Sequence, residues 1–168
     1  YKEMIKDCTC KVYTFGHNKD ANLVIDKVEL LRREHFIGLE MKTSGIVNDV
    51  FLVNTPGEFS AYNSACAIVV TTLLECNIDS IKDALAKVAV RGRVEIVPVS
   101  KKYTVIIDYA HNGVSTESIL TTMRKYNPKR IVSLFGCGGN RSKDRRYDMG
   151  EVSGKYADLS ILTEDNSR

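Results

Sequence analysis

The sequence predicts an α/β fold: a mostly parallel sheet with flanking helices in the C-terminal part, preceded by a strand-plus-helix segment. Three observations carry this. Residues 104–163 alternate short apolar runs with amphipathic stretches, in the order strand, helix, strand, helix, strand. Short connections between such elements favour parallel strands in one layer with helices on them. Residues 35–76 instead show two neighbouring β-like runs and then a long Ala- and Leu-rich stretch. Between these regions RGRVEIVPV (91–99) brings two arginines, a glycine and a proline, the composition of a linker. This places a domain boundary at about residue 95, giving units 1–95 and 96–168.

Taken in order, CKVYTF (10–15) alternates and predicts a strand. Residues 20–32 are ambiguous. HFIGLEMK (35–42) and VNDVFLV (47–53) predict a β-pair across the turn TSGI. NTPGEF is a loop punctuated by Pro-Gly. AYNSACAIVVTTLLEC (61–76) is apolar nearly all round, which predicts a buried helix with Asn77 as its stop. Cys66 and Cys76 read there as core filler. Asp79 is the expected cap of a second helix, DSIKDALAKV, with Ile81, Ala84, Leu85 and Val88 on one face. In the C-terminal part TVIIDYA (104–110), RIVSLF (130–135) and DLSILT (158–163) are expected as buried strands. STESILTTMRKY (115–126), capped by Ser115 or Thr116, and KDRRYDMGEVSGKYA (143–157) are the helices between them.

Composition narrows the function. The chain has 168 residues, 43% hydrophobic, 27% charged, with a net charge of +3. Mixed charge of this kind does not argue for a nucleic-acid partner, which leaves a clustered basic face. No apolar run approaches the roughly 20 residues that span a bilayer. Five scattered cysteines, none in C-x-x-C spacing, fit a reducing compartment and a cytoplasmic setting rather than a disulfide framework or a zinc site. The chain begins with Tyr1 and stops at Arg168 just after a strand, so both ends read as cut.

Ligands in parallel α/β sheets sit beyond the carboxyl ends of the strands. Here those ends are DYAHNG (108–113), GCGGNR (136–141) and EDNSR (164–168), expected to converge on one rim. Asp108 suits a ribose diol, or else satisfies loop amides as Asx residues do. His111 and Asn112 suit a base edge or a helix cap. GCGGNR is neither a Walker A loop nor G-x-G-x-x-G. Its glycines permit a tight turn, after which Arg141 offers a fork for a carboxylate, or else begins a solvated basic helix. In EDNSR, Asp165 and Arg168 could hold a zwitterion, or the set could cap a further helix. Arg93, in RGRVE, could reach a phosphate from the domain junction, or form a surface ion pair.

EFSAYNSACA, RGRVE, DYAHN, FGCGGNRSKDRRYDMGE and LTEDNSR, in this order, resemble the ATP-dependent Mur ligases of peptidoglycan synthesis, and among them the branch that adds the third stem-peptide residue. The resemblance runs from about residue 10 to the end and is most specific after residue 90. DYAH is shared with cyanophycin and folylpolyglutamate synthetases.

The resemblance implies that 1–95 is the end of a central ATP-binding domain and 96–168 the start of a Rossmann-like C-terminal domain. It implies that a carboxylate of UDP-MurNAc-L-Ala-D-Glu is phosphorylated by ATP, with Mg2+, and that the amine of a diamino acid, meso-diaminopimelate, attacks the acyl phosphate. It places Asn63 at the adenine, Arg93 at the nucleotide phosphates, Asp108 at the ribose and His111 near the base. It places Arg141, Asp165, Asn166, Ser167 and Arg168 at the incoming amino acid.

Three departures stand out. Ser167 replaces the usual proline of Asp-Asn-Pro-Arg, which frees a fixed φ. KDRRYD stands where many members have Gly-Lys-Arg-Pro. The phosphate-binding loop, the UDP-sugar domain and the lysine that would serve magnesium are outside these 168 residues, so the chain alone is expected to be inactive. No catalytic residue and no metal ligand is assigned in it. The helix 61–76, left without partners, is expected to favour self-association. The rival readings are another amide ligase of the cyanophycin or folate type, and a non-catalytic α/β ligand-binding module.

Overall fold

The computed structural model of the chain describes residues 2–33, 36–140 and 142–166. They form two compact units divided between Val88 and Ala89. Arg91–Glu95 therefore lie in the second unit.

In the first unit, α1 (Lys2–Ile5) precedes a four-stranded sheet of β1 (Phe15–Gly16), β2 (Leu23–Arg33), β3 (Phe36–Gly45) and β4 (Asp49–Val53). The strands lie in the order β1-β2-β3-β4, the first pair parallel and the others antiparallel. His35, expected to open β3, lies outside the described residues. Residues 10–15 are not a strand: only Phe15 enters β1. Thr14 is held instead by Asn22, whose Oδ1 accepts from its backbone N–H at 2.8 Å. The ambiguous 20–32 stretch is the long β2, with a register shift between Ile25 and Lys27.

Alternate residues of the strands face the helices, as a pleated strand requires. Leu23, Ile25, Leu39, Met41, Phe51 and Val53 form the buried layer. Ala61, Ala65, Ile68 and Val69 from α2 (Glu58–Leu73), with Ile81 and Leu85 from α3 (Ile78–Lys87), close it. The small residues Ser60, Ala61, Ser64 and Ala65 bring α2 close to the sheet.

Three expectations are corrected in these helices. The outer side of α2 is not buried: Val70, Leu73 and Cys66 are exposed, as is Cys76 beyond its end. One face of α2 already satisfies the core, and nothing among the described residues covers the other. Asn77 does not stop α2 but caps α3, its Oδ1 accepting from Asp79 N at 2.8 Å and Ser80 N at 3.3 Å. Asp79 thus sits inside the first turn, where its charge favours the helix dipole.

The second unit contains β5 (Glu95–Val97), β6 (Val105–Ile107), α4 (Gly113–Arg124), β7 (Val132–Phe135), α5 (Asp144–Tyr156) and β8 (Leu159–Leu162). β7 and β8 are parallel, joined through α5 as a strand–helix–strand crossover. β6 hydrogen-bonds antiparallel to β5 rather than to β7, so the described ladders are two pairs and not one three-stranded sheet. α4 is capped by Asn112, not by Ser115 or Thr116. Ser115 completes a capping box with it at the third helical position.

Asp158 ties the crossover together. Its Oδ2 accepts from Ile131 N at 2.6 Å and from Arg124 Nη2 at 2.7 Å. The Ile131 amide first, then Arg124, holds this carboxyl below the usual range.

The strands of this unit are also less buried than their composition predicts. Ser133 and Ser160 share one face of the β7–β8 pair, and Ser160 meets the buried Ser153 of α5 at 2.8 Å. Val132, Leu134, Leu159 and Ile161 share the opposite face and are all exposed.

Candidate functional site

The loop Arg91–Val94 is held by two carboxylates. Glu95 Oε2 accepts from Gly92 N at 2.7 Å, and Asp108 Oδ2 accepts from Val94 N at 2.8 Å. Gly92 has φ of 68° and Val94 has φ of 47°. The left-handed region is natural for glycine and strained for a β-branched residue. Val94 nevertheless buries its side chain, so packing and the Asp108 bond together hold the strained backbone.

Between these two residues Arg93 projects as an exposed side chain whose guanidinium lies over the Tyr109 ring, 5.0 Å from its centroid. Tyr109 in turn meets the His111 ring at 5.2 Å, tilted by 52°. Arg93, Tyr109 and His111 therefore form one exposed cation–aromatic row at the end of β6.

Asp108 also accepts from Ala110 N at 2.8 Å through Oδ1. Both of its oxygens are thus engaged with loop amides, the plainer of its two sequence readings. Each oxygen keeps a second lone pair that could accept from a hydroxyl. His111 donates its backbone N–H to Ser115 Oγ (3.2 Å), and its Nδ1 lies 3.2 Å from Tyr109 O. Asn112 is consumed by its capping role. Asn63 is exposed on α2 of the first unit. Next to it Tyr62 packs edge-on against His17, with centroids 5.5 Å apart.

The other strand ends also meet. Gly139 N donates to Asn166 O at 3.1 Å, and Thr163 N to Phe135 O at 3.0 Å. A side chain at Gly136 would place Cβ 2.6 Å from Thr163 O and 2.7 Å from Asp165 Cβ. Glycine is therefore required there by close approach rather than by φ. Asn140 (φ 54°) and Asn166 (φ 43°) supply left-handed turns that Asn tolerates.

Asp165 and Asn166 are exposed beside this turn. Arg141, Ser167 and Arg168 lie outside the described residues. The DYAHNG end approaches the same region through α5: a Cβ on Gly113 would sit 3.0 Å from Asp148 Cβ, and Cys137 Sγ lies 3.8 Å from Met149 Sδ.

Tyr109 and Glu95 are the residues the sequence reading passed over. Tyr109 stood inside the quoted DYAH, and the carboxylate of Glu95 three positions after Gly92 was the available sign of a closed turn. Among the described residues no group of three or more His, Cys, Asp or Glu side chains could hold a metal ion. No helix is long and apolar enough to cross a membrane.

Residues 92–168 match the family described as Mur ligase, glutamate ligase domain. The matched residues lie within the second unit and make up less than half of the chain. The chain is 40% identical, over 99% of its length, to the UDP-N-acetylmuramoyl-L-alanyl-D-glutamate--2,6-diaminopimelate ligase of Alkaliphilus oremlandii, of which it covers 34%. It is 36% identical over 94% of its length to the protein of the same name from Clostridium perfringens, covering 32% of it. The chain thus spans about a third of the length of these curated Mur ligase relatives. Among solved structures, the UDP-N-acetylmuramate-alanine ligase of Thermotoga maritima superposes with a TM-score of 0.72 at 20% identity, over 90% of this chain and 34% of that one. That likeness bears on the Mur ligase fold alone.

Proposed function

We propose that this chain is part of an ATP-dependent amide ligase of peptidoglycan precursor synthesis, one that joins meso-diaminopimelate to UDP-MurNAc-L-Ala-D-Glu. Residues 1–95 would be the end of its central ATP-binding domain and 96–168 the first part of its C-terminal, Rossmann-like domain. The observation that carries this reading is the 40% identity, along 99% of this chain, with a ligase named for that substrate and that amino acid. The enzyme would work in the cytoplasm on small molecules, with no nucleic acid or membrane as partner.

The chemistry would be acyl phosphate formation followed by attack of an amine. ATP phosphorylates the substrate carboxylate, the amino acid's amine displaces phosphate, and ADP leaves. Positioning and charge stabilisation dominate phosphoryl transfer, with magnesium supplying charge when bound. The described residues of this chain do not by themselves make a magnesium site. What the chain contributes is binding. Arg93, exposed on Tyr109, would meet nucleotide phosphates. Asp108 would accept from ribose hydroxyls with the lone pairs its two amide bonds leave. His111 would face the base. Asp165 and Asn166, beside the Gly136 turn, with Arg141, Ser167 and Arg168, would receive the ammonium and carboxylate groups of the amino acid. A bidentate arginine fork suits a carboxylate better than a lysine does.

The full-length protein tests this. With ATP, magnesium and UDP-MurNAc-L-Ala-D-Glu supplied, phosphate release is expected with meso-diaminopimelate and not with L-lysine. Release only with lysine would keep the ligase and overturn the amino acid. Release with neither would favour another amide ligase or a binding module. The 168-residue chain alone, which has no Gly-Lys-Ser/Thr phosphate loop, is expected to release none.

A further inference from the structure

The five cysteines are not equivalent. Cys66 and Cys76 are exposed, and Cys137 is half-buried against Met149. Cys8 and Cys10 differ from all three. Both are exposed, and their Sγ atoms lie 3.0 Å apart on the connection between α1 and β1. A disulfide needs the sulfurs at about 2.05 Å, so a closure of roughly 1 Å separates the two states.

The segment is anchored on both sides. Cys8 N donates to Ile5 O at 3.0 Å, and Asn22 accepts from Thr14 N at 2.8 Å. Lys6, Asp7 and Lys11 are the charged neighbours in sequence.

We propose that Cys8 and Cys10 form a reversible dithiol–disulfide modification site, oxidised by a low-molecular-weight disulfide. The Cys8 thiolate attacks one sulfur of the small disulfide. A Cys8 mixed disulfide forms, and the first small thiolate leaves. Cys10 then gives its proton to solvent, and its thiolate attacks the Cys8 sulfur and expels the second. Two protein thiols are oxidised, one small disulfide is reduced to two thiols, and no other reactant enters. Cys8 takes the attacking role because its hydrogen bond with the Cys10 side chain lowers its pKa. Cys10 is the resolving thiol. In a reducing compartment such a pair is transient and reports an oxidising excursion.

The inference is independent of the ligase reading, since it involves neither the nucleotide nor the amino-acid residues. It is tested on the 168-residue chain equilibrated in reduced and oxidised glutathione at pH 7.5. Remaining thiols are alkylated, and peptide masses are read. The expected result is a peptide spanning residues 8 and 10 that has lost two hydrogens and takes no alkyl group, under conditions where Cys66 and Cys76 are still alkylated.

In Cys10→Ser the glutathione mixed disulfide at Cys8 is expected to accumulate instead. Without Cys10 the internal bond cannot form, so the mixed disulfide is the oxidised product that Cys8 retains. Equal alkylation of Cys8, Cys10, Cys66 and Cys76 in the unsubstituted chain would overturn the proposal. So would stable glutathione adducts on Cys8 and Cys10 without an internal bond. Both sulfurs are exposed, so the substitution removes no core contact.

Discussion

Asp108 shows how one side chain organises a site. Its carboxylate spans the amides of Val94 and Ala110, and through Val94 it fixes the loop that carries Arg93. Replacing it by alanine leaves both half-buried donors without an acceptor. Asp108→Ala is expected to destabilise the second unit by about 1–3 kcal/mol, the cost of an unsatisfied buried polar group. Asp108→Asn keeps one acceptor oxygen and is expected to cost less. Urea unfolding of the two variants checks the order, and an alanine variant as stable as the parent would remove Asp108 from this role. The sequence left Asp108 between a ribose acceptor and a loop clamp. Spacing cannot decide between them, because the Val94 amide reaches Asp108 only after β5 and β6 pair.

At the level of elements, α3 docks on β4 through one ion pair and two backbone anchors. Lys82 Nζ lies 2.7 Å from Asp49 Oδ1, while Asn54 donates from its backbone to Leu85 O and from its side chain to Val88 O. Lys82 first, then the Val50 amide, lowers the Asp49 pKa. A carboxyl with a depressed folded pKa contributes stability above its unfolded value, near 3.8, and loses it as pH falls through the folded one. Both side chains are partly in water, so the contribution is about 0.2–1 kcal/mol. Asp49→Asn is therefore expected to lower the unfolding midpoint at pH 7 and to leave it nearly unchanged well below pH 3.8. A difference that persists undiminished at low pH would assign the effect to packing instead.

Elements were also where sequence reading was most and least successful. The β3–β4 hairpin, α3, α4, α5 and the β7–α5–β8 crossover were legible from periodicity and turn residues. Asn77, not Asp79, caps α3, and Asn112, which the sequence offered as a base-edge residue or a helix cap, takes the cap of α4 in place of Ser115 or Thr116. An Asx residue before a helix can equally end the previous one, and only the path of the chain distinguishes these. CKVYTF alternates like a strand, yet a strand requires a partner, and only Phe15 has one in register.

For the whole molecule, burial is unevenly shared. Among the described residues, twelve buried hydrophobics form the first unit's core. The buried hydrophobics described in the second are Val94, Leu120, Tyr126 and Met149. Two apolar faces remain exposed, the outer side of α2 with Val70 and Leu73, and the β7–β8 face with Leu134 and Ile161. Contiguous apolar surface of this kind drives association. The 168-residue chain is expected to show a mass by light scattering that rises with concentration, and Leu134→Lys combined with Val70→Lys is expected to reduce that rise. A concentration-independent monomer would show that these faces are tolerated in water.

The sequence by itself determined the α/β class, the order of most elements and the motifs by which it resembles the Mur ligases. These follow from local periodicity, turn chemistry and residue order, which the chain carries without folding. Only the tertiary structure decided that Arg93 lies on Tyr109, that Gly136 is needed for the approach of Thr163 and Asp165, and which face of each apolar strand is covered. Each of these depends on contacts between segments distant in sequence, and composition cannot specify which partner arrives.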